Sequence, residues 1–457
     1  MNTTPVSPRR AAKESLVAVL RHGRYSNLEV DSVVSRQAFE SPEDRALYTR
    51  LVYGVIERLI TLDYVISSIS SHDISSIDIE TLISLRLGFY QLIYTDRIPD
   101  HAAVSETVSV APLRSRGFVN ACLRTFIRKG RTISVPDGKA PEEMSVRYSV
   151  SADICRILID SYGSADAEAI LNAANHQNGI TLRINTTRLT VNEAKHLLTD
   201  LPSDVSYGNY ASDVLRVPSL TEGVRSGIER GDWFVQDESS RIATMVTGAL
   251  NGEMIADVCA APGGKTFSLA MDSAPDGRIY SFDIHKNKLS LIESGASRLG
   301  LSGITCSMRD GRNPDPVLIG TCDRVLCDAP CSGIGVIGKK PELRLRQSDD
   351  VQRLPEIQYA ILCGASEYVK PGGVLVYSTC TLNRRENEDT VRRFLDAHSE
   401  FSPSDFTVKS MVGGHDILSD NGKVTLFPHL TGTDGFFIAR MVKKSVINTS
   451  GGESHKA

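Results

Sequence analysis

The sequence predicts a multidomain protein: an all-helical N-terminal region, a small α/β module, and a doubly wound α/β domain that carries a ligand site. Three observations lead there. Residues 5–131 place apolar side chains at helical spacing with no strand alternation. Residues 254–270 read as strand, glycine turn and helix. Beyond Asp283, short apolar runs alternate with helical stretches, the signature of a parallel sheet with crossover helices.

In the N-terminal region, Ser7-Pro8 and Ser41-Pro42 each set a capping residue before proline at the first helical position. Leu47, Leu51, Val55, Ile56 and Leu59 follow at helical spacing, and further helices are expected over 79–94, 102–111 and 117–128. Residues 1–132 hold 17 Lys/Arg against 14 Asp/Glu, whereas the whole chain has a net charge of -4. The basic excess is local. Between Glu106 and Asp137 there is no acid, and Arg114, Arg116, Arg124, Arg128, Lys129 and Arg131 all fall there. Arg124 and Arg128 share a helix face, so this patch is either a phosphate-binding surface or a solvated face.

Pro136, Asp137, Gly138 and Pro141 mark a linker, assigned to 133–147. The small α/β module is expected at 148–235, with helices at 151–162, 165–174 and 191–201 and strands at 181–185 and 214–217. Trp233 to Asp237 then lead by a helix into the third domain, 236–442. There, helices are expected at 286–299, 351–369 and 385–397. Strands are expected at 304–306, 323–327 and 373–377, with a closing antiparallel pair at 424–427 and 436–441. The tail, 443–457, has a disordered composition.

Bulk properties narrow the class. Hydrophobic content of 41% and charged content of 23% are ordinary for a soluble chain. The N-terminus lacks a signal-type apolar core and no run is long enough to span a membrane, so a cytoplasmic location with no membrane association is expected. Nine cysteines, odd in number and without a C-x-x-C pair, fit a reducing compartment and argue against a metal site.

The glycine turn bares backbone N–H groups at a helix start, where a nucleotide-like ligand can approach. Gly264-Lys265-Thr266 completes the second half of a phosphate loop, but Cys259 stands where its first glycine belongs. Asp283 ends the next strand, where a doubly wound sheet places a carboxylate on ribose hydroxyls. Two cysteines sit at later strand ends: Asp328-Ala329-Pro330-Cys331-Ser332-Gly333 and Tyr377-Ser378-Thr379-Cys380-Thr381. Each alone fits a buried filler. Together, with Asp328 three residues before one of them and Lys265 to supply positive field, they point to thiolate chemistry.

CAAPGGKT at 259–266, DAPCSG at 328–333 and STCT at 378–381 resemble the motifs of S-adenosylmethionine-dependent RNA cytosine-5 methyltransferases, most closely the RsmB/Sun (Fmu) type acting on 16S ribosomal RNA. The helical N-terminal region resembles the NusB-like RNA-binding domain fused to that enzyme. The resemblance covers nearly the whole chain. It implies a Rossmann-like class I methyltransferase domain using S-adenosyl-L-methionine as cofactor. In it, Cys259, Ala260, Ala261, Pro262, Gly263, Gly264 and Lys265 would line the methionine and ribose. Asp283 would take the ribose hydroxyls, Asp310 would lie near the adenine, and Asp328 would lie near both cofactor and base. Cys380 matches the nucleophile and Cys331 the cysteine of product release; DNA cytosine-5 enzymes use the Pro-Cys cysteine as nucleophile, so spacing alone leaves the two roles exchangeable. Asp434-Gly435-Phe436-Phe437 looks like the closing motif. Lys288 stands where relatives often carry Arg, and Lys339-Lys340-Pro341-Glu342-Leu343-Arg344 replaces a basic-His-Pro-Asp-like run; Lys339 and Lys340 could hold RNA backbone.

The implied reaction is methyl transfer to C5 of a cytosine through a Cys–C6 adduct, with the base unpaired or extruded. The implied partner is small-subunit ribosomal RNA, free or in an assembling particle, with the enzyme a monomer. Alternatives are transfer or other RNA as substrate, or a non-catalytic RNA-binding or antitermination factor.

Overall fold

The computed structural model describes residues 6–36, 39–176, 179–198 and 205–445. Two compact units emerge: Met1–Asn175 with Ile337–Ser348, and His176–Val336 with Asp349–Ala457.

The first unit is helical. Its central helix, Ile79–Tyr94, is capped by Asp78, whose side chain accepts from the Thr81 amide, and is buried from Thr81 to Leu92. Leu16, Tyr48, Leu51, Val55, Leu62, Leu123 and Phe126 belong to the same core. Ser41 caps Pro42–Glu57 through the Asp44 amide, as expected, but Ser7 makes no side-chain cap at Pro8–His22. A helix absent from the expected set, Leu59–Ile69, follows immediately after Pro42–Glu57. The stretch Ala152–Asn175 is broken at Gly163 (φ 80°, ψ 165°), which yields the two helices foreseen.

The division of the structure does not follow the sequence boundaries. Residues 148–175 group with the helical unit, and so do residues 337–348 from inside the expected third domain. Arg344 gives the physical reason: its guanidinium is fully buried, donating to the carbonyls of Ile337, Tyr148 and Ala174 and to Asn175 Oδ1. A buried cation with these acceptors fixes its segment among them.

In the second unit a small antiparallel sheet has the order Ser206–Tyr207, Val214–Val217, Ile180–Ile184, Trp233–Val235. The helix expected at 191–201 is seen as Val191–Leu197; its last positions and most of the tail lie outside the described residues. The main sheet has the order Phe401–Pro403, Phe436–Lys443, Val369–Thr379, Cys322–Asp328, Met254–Asp257, Arg278–Asp283, Ile304–Met308. Its last five strands are parallel; Phe436–Lys443 runs antiparallel and also pairs with Lys423–Leu426.

Side chains alternate between the two faces, as the two-residue period of a strand requires. Val325, Cys327, Leu375, Tyr377 and Phe437 pack with Ile361, Leu362, Val391 and Phe394. Leu326, Val374, Val376 and Ile438 pack on the other face with Ile242, Val246 and Leu269. Helices therefore cover both sides, as a parallel core demands. From Met254–Asp257 the chain builds first toward one edge and then, from Cys322–Asp328, toward the other. That reversal opens a crevice at the carboxyl ends of these two strands. Among the described residues no helix is long and apolar enough to cross a membrane.

Candidate active site

The crevice lies over the Met254–Asp257 strand. The chain leaves that strand through Val258 to Gly263 and enters the helix Gly264–Asp272. Gly263 adopts φ 113°, and a Cβ there would stand 2.5 Å from the Phe267 ring, so both conformation and space select glycine. Cys259, Ala260, Ala261, Pro262, Gly264, Lys265 and Asp328 line the pocket. Gly263 shapes the turn without lining it.

Val235, Gln236, Asp237 and Ser240 form the rest of the wall together with Asp257. Sequence reading gave these no role. The only signal was a polar Gln236-Asp237 pair after an apolar strand and before a helix that Asp237 caps through Ser239. Two buried polar atoms here have no hydrogen-bond partner among the described residues: Asp257 Oδ1 and Gln236 Nε2. Asp257 Oδ2 accepts from Thr266 Oγ1 at 2.7 Å, and Gln236 Oε1 accepts from Ser268 Oγ at 2.8 Å. Burial raises the Asp257 carboxyl to about 7, with Asp328 adding to the rise and Thr266 and Lys265 opposing it. An orphaned acceptor and an orphaned donor in one crevice suit a zwitterion such as the amino-acid end of S-adenosylmethionine.

Asp283 closes its strand nearly buried, with Oδ1 accepting from the His285 amide at 2.9 Å. It lies on the strand beside Met254–Asp257 but is not in the pocket lining. Asp310 is likewise absent from the lining. Both its oxygens take the Arg312 guanidinium at 2.6–3.0 Å, which holds its carboxyl below the usual range.

Asp328 sits opposite Ser378 in the parallel ladder. Its Oδ2 accepts from Lys265 Nζ at 2.7 Å and its Oδ1 from Ser378 Oγ at 2.8 Å. Burial works against the Lys265 ammonium, but Asp328 and then Cys380 outweigh it and raise its pKa. Lys265 Nζ also lies 5.2 Å from the Phe436 ring centre, on the expected closing motif.

Three residues past Asp328 and two past Ser378, the chains bring Cys331 and Cys380 together with sulfurs 3.2 Å apart. Cys331 is pushed well above the ordinary thiol range, first by the hydrogen bond shared with Cys380, then by burial and by the charges of Cys380, Glu386 and Asp328. Cys259 is also held as a thiol, mainly by burial and then by Asp257. Glu386 and Asn387, fully buried around the cysteine loops, were not foreseen, and Ser332, equally buried, was read only as part of the Cys331 motif; residues 385–387 were expected as the start of a helix that begins only at Glu388.

The basic residues belong to the helical unit. Arg114, Arg124, Arg128 and Lys129 are exposed and Arg116 partly so, on or beside the helix Arg116–Arg128, opposite buried Val119, Cys122, Leu123 and Phe126. Arg114 pairs with Asp78 at 3.5 Å. Lys339 and Lys340 are exposed and belong to the segment that groups with the helical unit rather than the catalytic one.

Comparison with known proteins agrees with this architecture. Residues 244–442 match the family 16S rRNA methyltransferase RsmB/F, residues 6–128 the NusB family, and residues 154–221 the ferredoxin-like domain of RsmF/B-like methyltransferases. A Bacillus subtilis (strain 168) protein named "Probable ribosomal RNA small subunit methyltransferase B" is 34% identical over 448 residues, covering 96% of this chain and 99% of its own. The ribosomal RNA small subunit methyltransferase B of Sodalis glossinidius (strain morsitans) is 31% identical over 423 residues, 90% of this chain and 92% of its own. The crystal structure of PH0851 superposes with a TM-score of 0.79 at 26% identity, covering 96% of this chain and 99% of that one. With these three matches along its length and a relative 34% identical over 96% of it, the chain belongs to the RsmB/F family of 16S rRNA methyltransferases.

Proposed function

We propose that the protein methylates C5 of a cytosine in small-subunit ribosomal RNA through a covalent Cys380–C6 adduct. The observation that carries this reading is the 3.2 Å contact of Cys331 and Cys380, at the ends of adjacent strands beside the Lys265–Asp328 pair.

S-adenosylmethionine, when bound, supplies an electrophilic methyl group on a sulfonium. The residues suited to hold it are Asp257 and Gln236 for the amino-acid end, the 259–265 turn alongside, and Asp283 at the neighbouring strand end. Asp310, committed to Arg312, is the weakest of the expected contacts.

Cytosine C5 is a poor nucleophile until a thiolate adds to C6. The Cys380 sulfur forms the S–C6 bond, and the C5–C6 π electrons become an enamine that can take up the methyl group. The proton given up by the Cys380 thiol passes by way of Asp328 to N3, which cancels the negative charge the addition puts on the ring, and the Lys265 ammonium stabilises that charge as it develops. The C5 proton then passes to solvent water, its bonding electrons re-form the C5–C6 double bond, and the S–C6 electrons return to sulfur as the Cys380 thiolate is expelled. Cys331, held as a thiol against Cys380, is the group suited to assist that release.

The experiment is a pair of variants assayed on small-subunit RNA with bisulfite mapping. Cys380→Ala is expected to lose methyl transfer, and Cys331→Ala to accumulate an RNA–protein adduct. An adduct from Cys380→Ala instead would exchange the roles. Methylation confined to transfer RNA would redirect the substrate.

A further inference from the structure

Within that reading, which this inference deepens, the contact between Cys331 and Cys380 needs something to hold it. Neither loop is a regular element. Both are short, and a cysteine side chain is free to rotate.

Glu386 is fully buried and satisfied by four donors. Its Oε2 accepts from the Ser332 amide at 2.9 Å and Gln358 Nε2 at 2.8 Å; its Oε1 accepts from Ser332 Oγ at 2.5 Å and Asn383 Nδ2 at 2.9 Å. Ser332 directly follows Cys331. Because its hydroxyl proton goes to Glu386, Ser332 Oγ is left to accept from Thr381 Oγ1, 2.6 Å away and directly after Cys380.

Asn387 brackets the other cysteine. Its Oδ1 accepts from Thr379 Oγ1 at 2.6 Å and its Nδ2 donates to the Thr381 carbonyl at 2.9 Å, one residue on either side of Cys380. The Gly335 amide donates to the Cys380 carbonyl at 3.0 Å, closing the link between the loops.

A buried carboxylate is costly to desolvate, and one that takes two donors from the Cys331 loop, one from the Cys380 loop and one from the helix Leu354–Glu367 ties both loops to that helix. We propose that Glu386 and Asn387 are positioning residues that set the separation of Cys331 and Cys380 for adduct formation and release. The charge of Glu386 also helps keep Cys331 protonated, after the Cys380 contact and burial.

The test uses the full chain with Glu386→Gln, which keeps size but turns one acceptor into a donor facing other donors. The expected result is a fall in kcat of about a hundredfold, the scale of a 1 Å misplacement. KM for RNA and S-adenosylmethionine affinity by calorimetry should stay within about twofold, since ground-state binding is untouched. Iodoacetamide labelling of Cys331, followed by mass spectrometry across pH, should begin at lower pH. Ser332→Ala, which removes a single hydroxyl and keeps the backbone donor, serves if Glu386→Gln does not fold, and should lower kcat in the same way. Wild-type kcat in the folded variant, or a loss matched by equal loss of cofactor affinity, overturns the proposal. Wild-type protein that makes no 5-methylcytosine instead overturns the reading it rests on.

Discussion

Cys331 and Cys380 approach to 3.2 Å between sulfurs while both remain reduced thiols. Thiols this close need little movement to join. Treatment with hydrogen peroxide is expected to abolish methyl transfer with loss of two hydrogens from the protein, and dithiothreitol to restore it. Activity lost without a Cys331–Cys380 crosslink in peptide mapping would contradict this.

Lys265 bonds Asp328 at 2.7 Å at the edge of the pocket. Lys265→Met should lower kcat by about 10²–10³, the magnitude seen when one preorganised electrostatic donor is removed. Single-turnover rates check it. An unchanged rate would make the lysine a purely structural partner of Asp328.

Asp257 supplies a pH dependence. Its folded carboxyl is raised to about 7, against an ordinary aspartate value of 3.8. Between those values the unfolded chain ionises while the folded one keeps its proton, so the folded state binds more protons and stability falls as pH rises through the window. Above about 7 the loss is complete, on the order of a few kcal/mol. Asp257→Asn removes this slope, so its melting temperature relative to wild type should rise from pH 5 to pH 8. Cofactor binding at pH 6 should also release protons, because an ammonium beside Asp257 favours its ionised form. Calorimetry in buffers of different ionisation enthalpy measures that release.

Gly263 has φ 113° and no room for a Cβ beside Phe267. Gly263→Ala is expected to cost about 1–3 kcal/mol from strain and overpacking. Thermal melting and cofactor titration should both register it.

Arg124 and Arg128 project from the exposed face of their helix and, among the described residues, bond only to Asn120 and Thr125 within it. If they meet phosphates, the double variant Arg124→Gln/Arg128→Gln should reduce the slope of log affinity against log salt by about 1.4–1.8. Circular dichroism should show an unchanged fold. An unchanged slope would make this face simply solvated.

How much of this was legible follows from where information resides. The helix at 79–94 and the strand and helix around the glycine turn were readable because apolar period, caps and turn glycines are local signals. The helix at 286–299 and the strand at 214–217 were too. Gln236, Arg344, Glu386 and Asn387 were not, for a common reason. Each is polar, and polar residues in a helix start or loop are normally solvated. For three of them burial depends on partners far away in sequence: Gln236 on Ser268, Arg344 on Tyr148 and Asn175, Glu386 on Ser332 and Gln358; Asn387 is buried by a loop that folds back on Thr379 and Thr381. Asp310 differs in the opposite sense: its carboxylate partner, Arg312, lies only two residues on.

The segment Ile337–Ser348, which groups with the helical unit, leaves the catalytic unit at Val336 and returns at Asp349. The chain therefore crosses from one unit to the other more than once, and the two are not cassettes that a single cut can separate. A cut after Asn175, where the first unit's main segment ends, would strip Arg344 of the Tyr148 and Asn175 acceptors and leave the helical fragment without the guanidinium that fills them. Fragments expressed apart should each carry an exposed scar, whereas the same two pieces expressed together have the means to recover it.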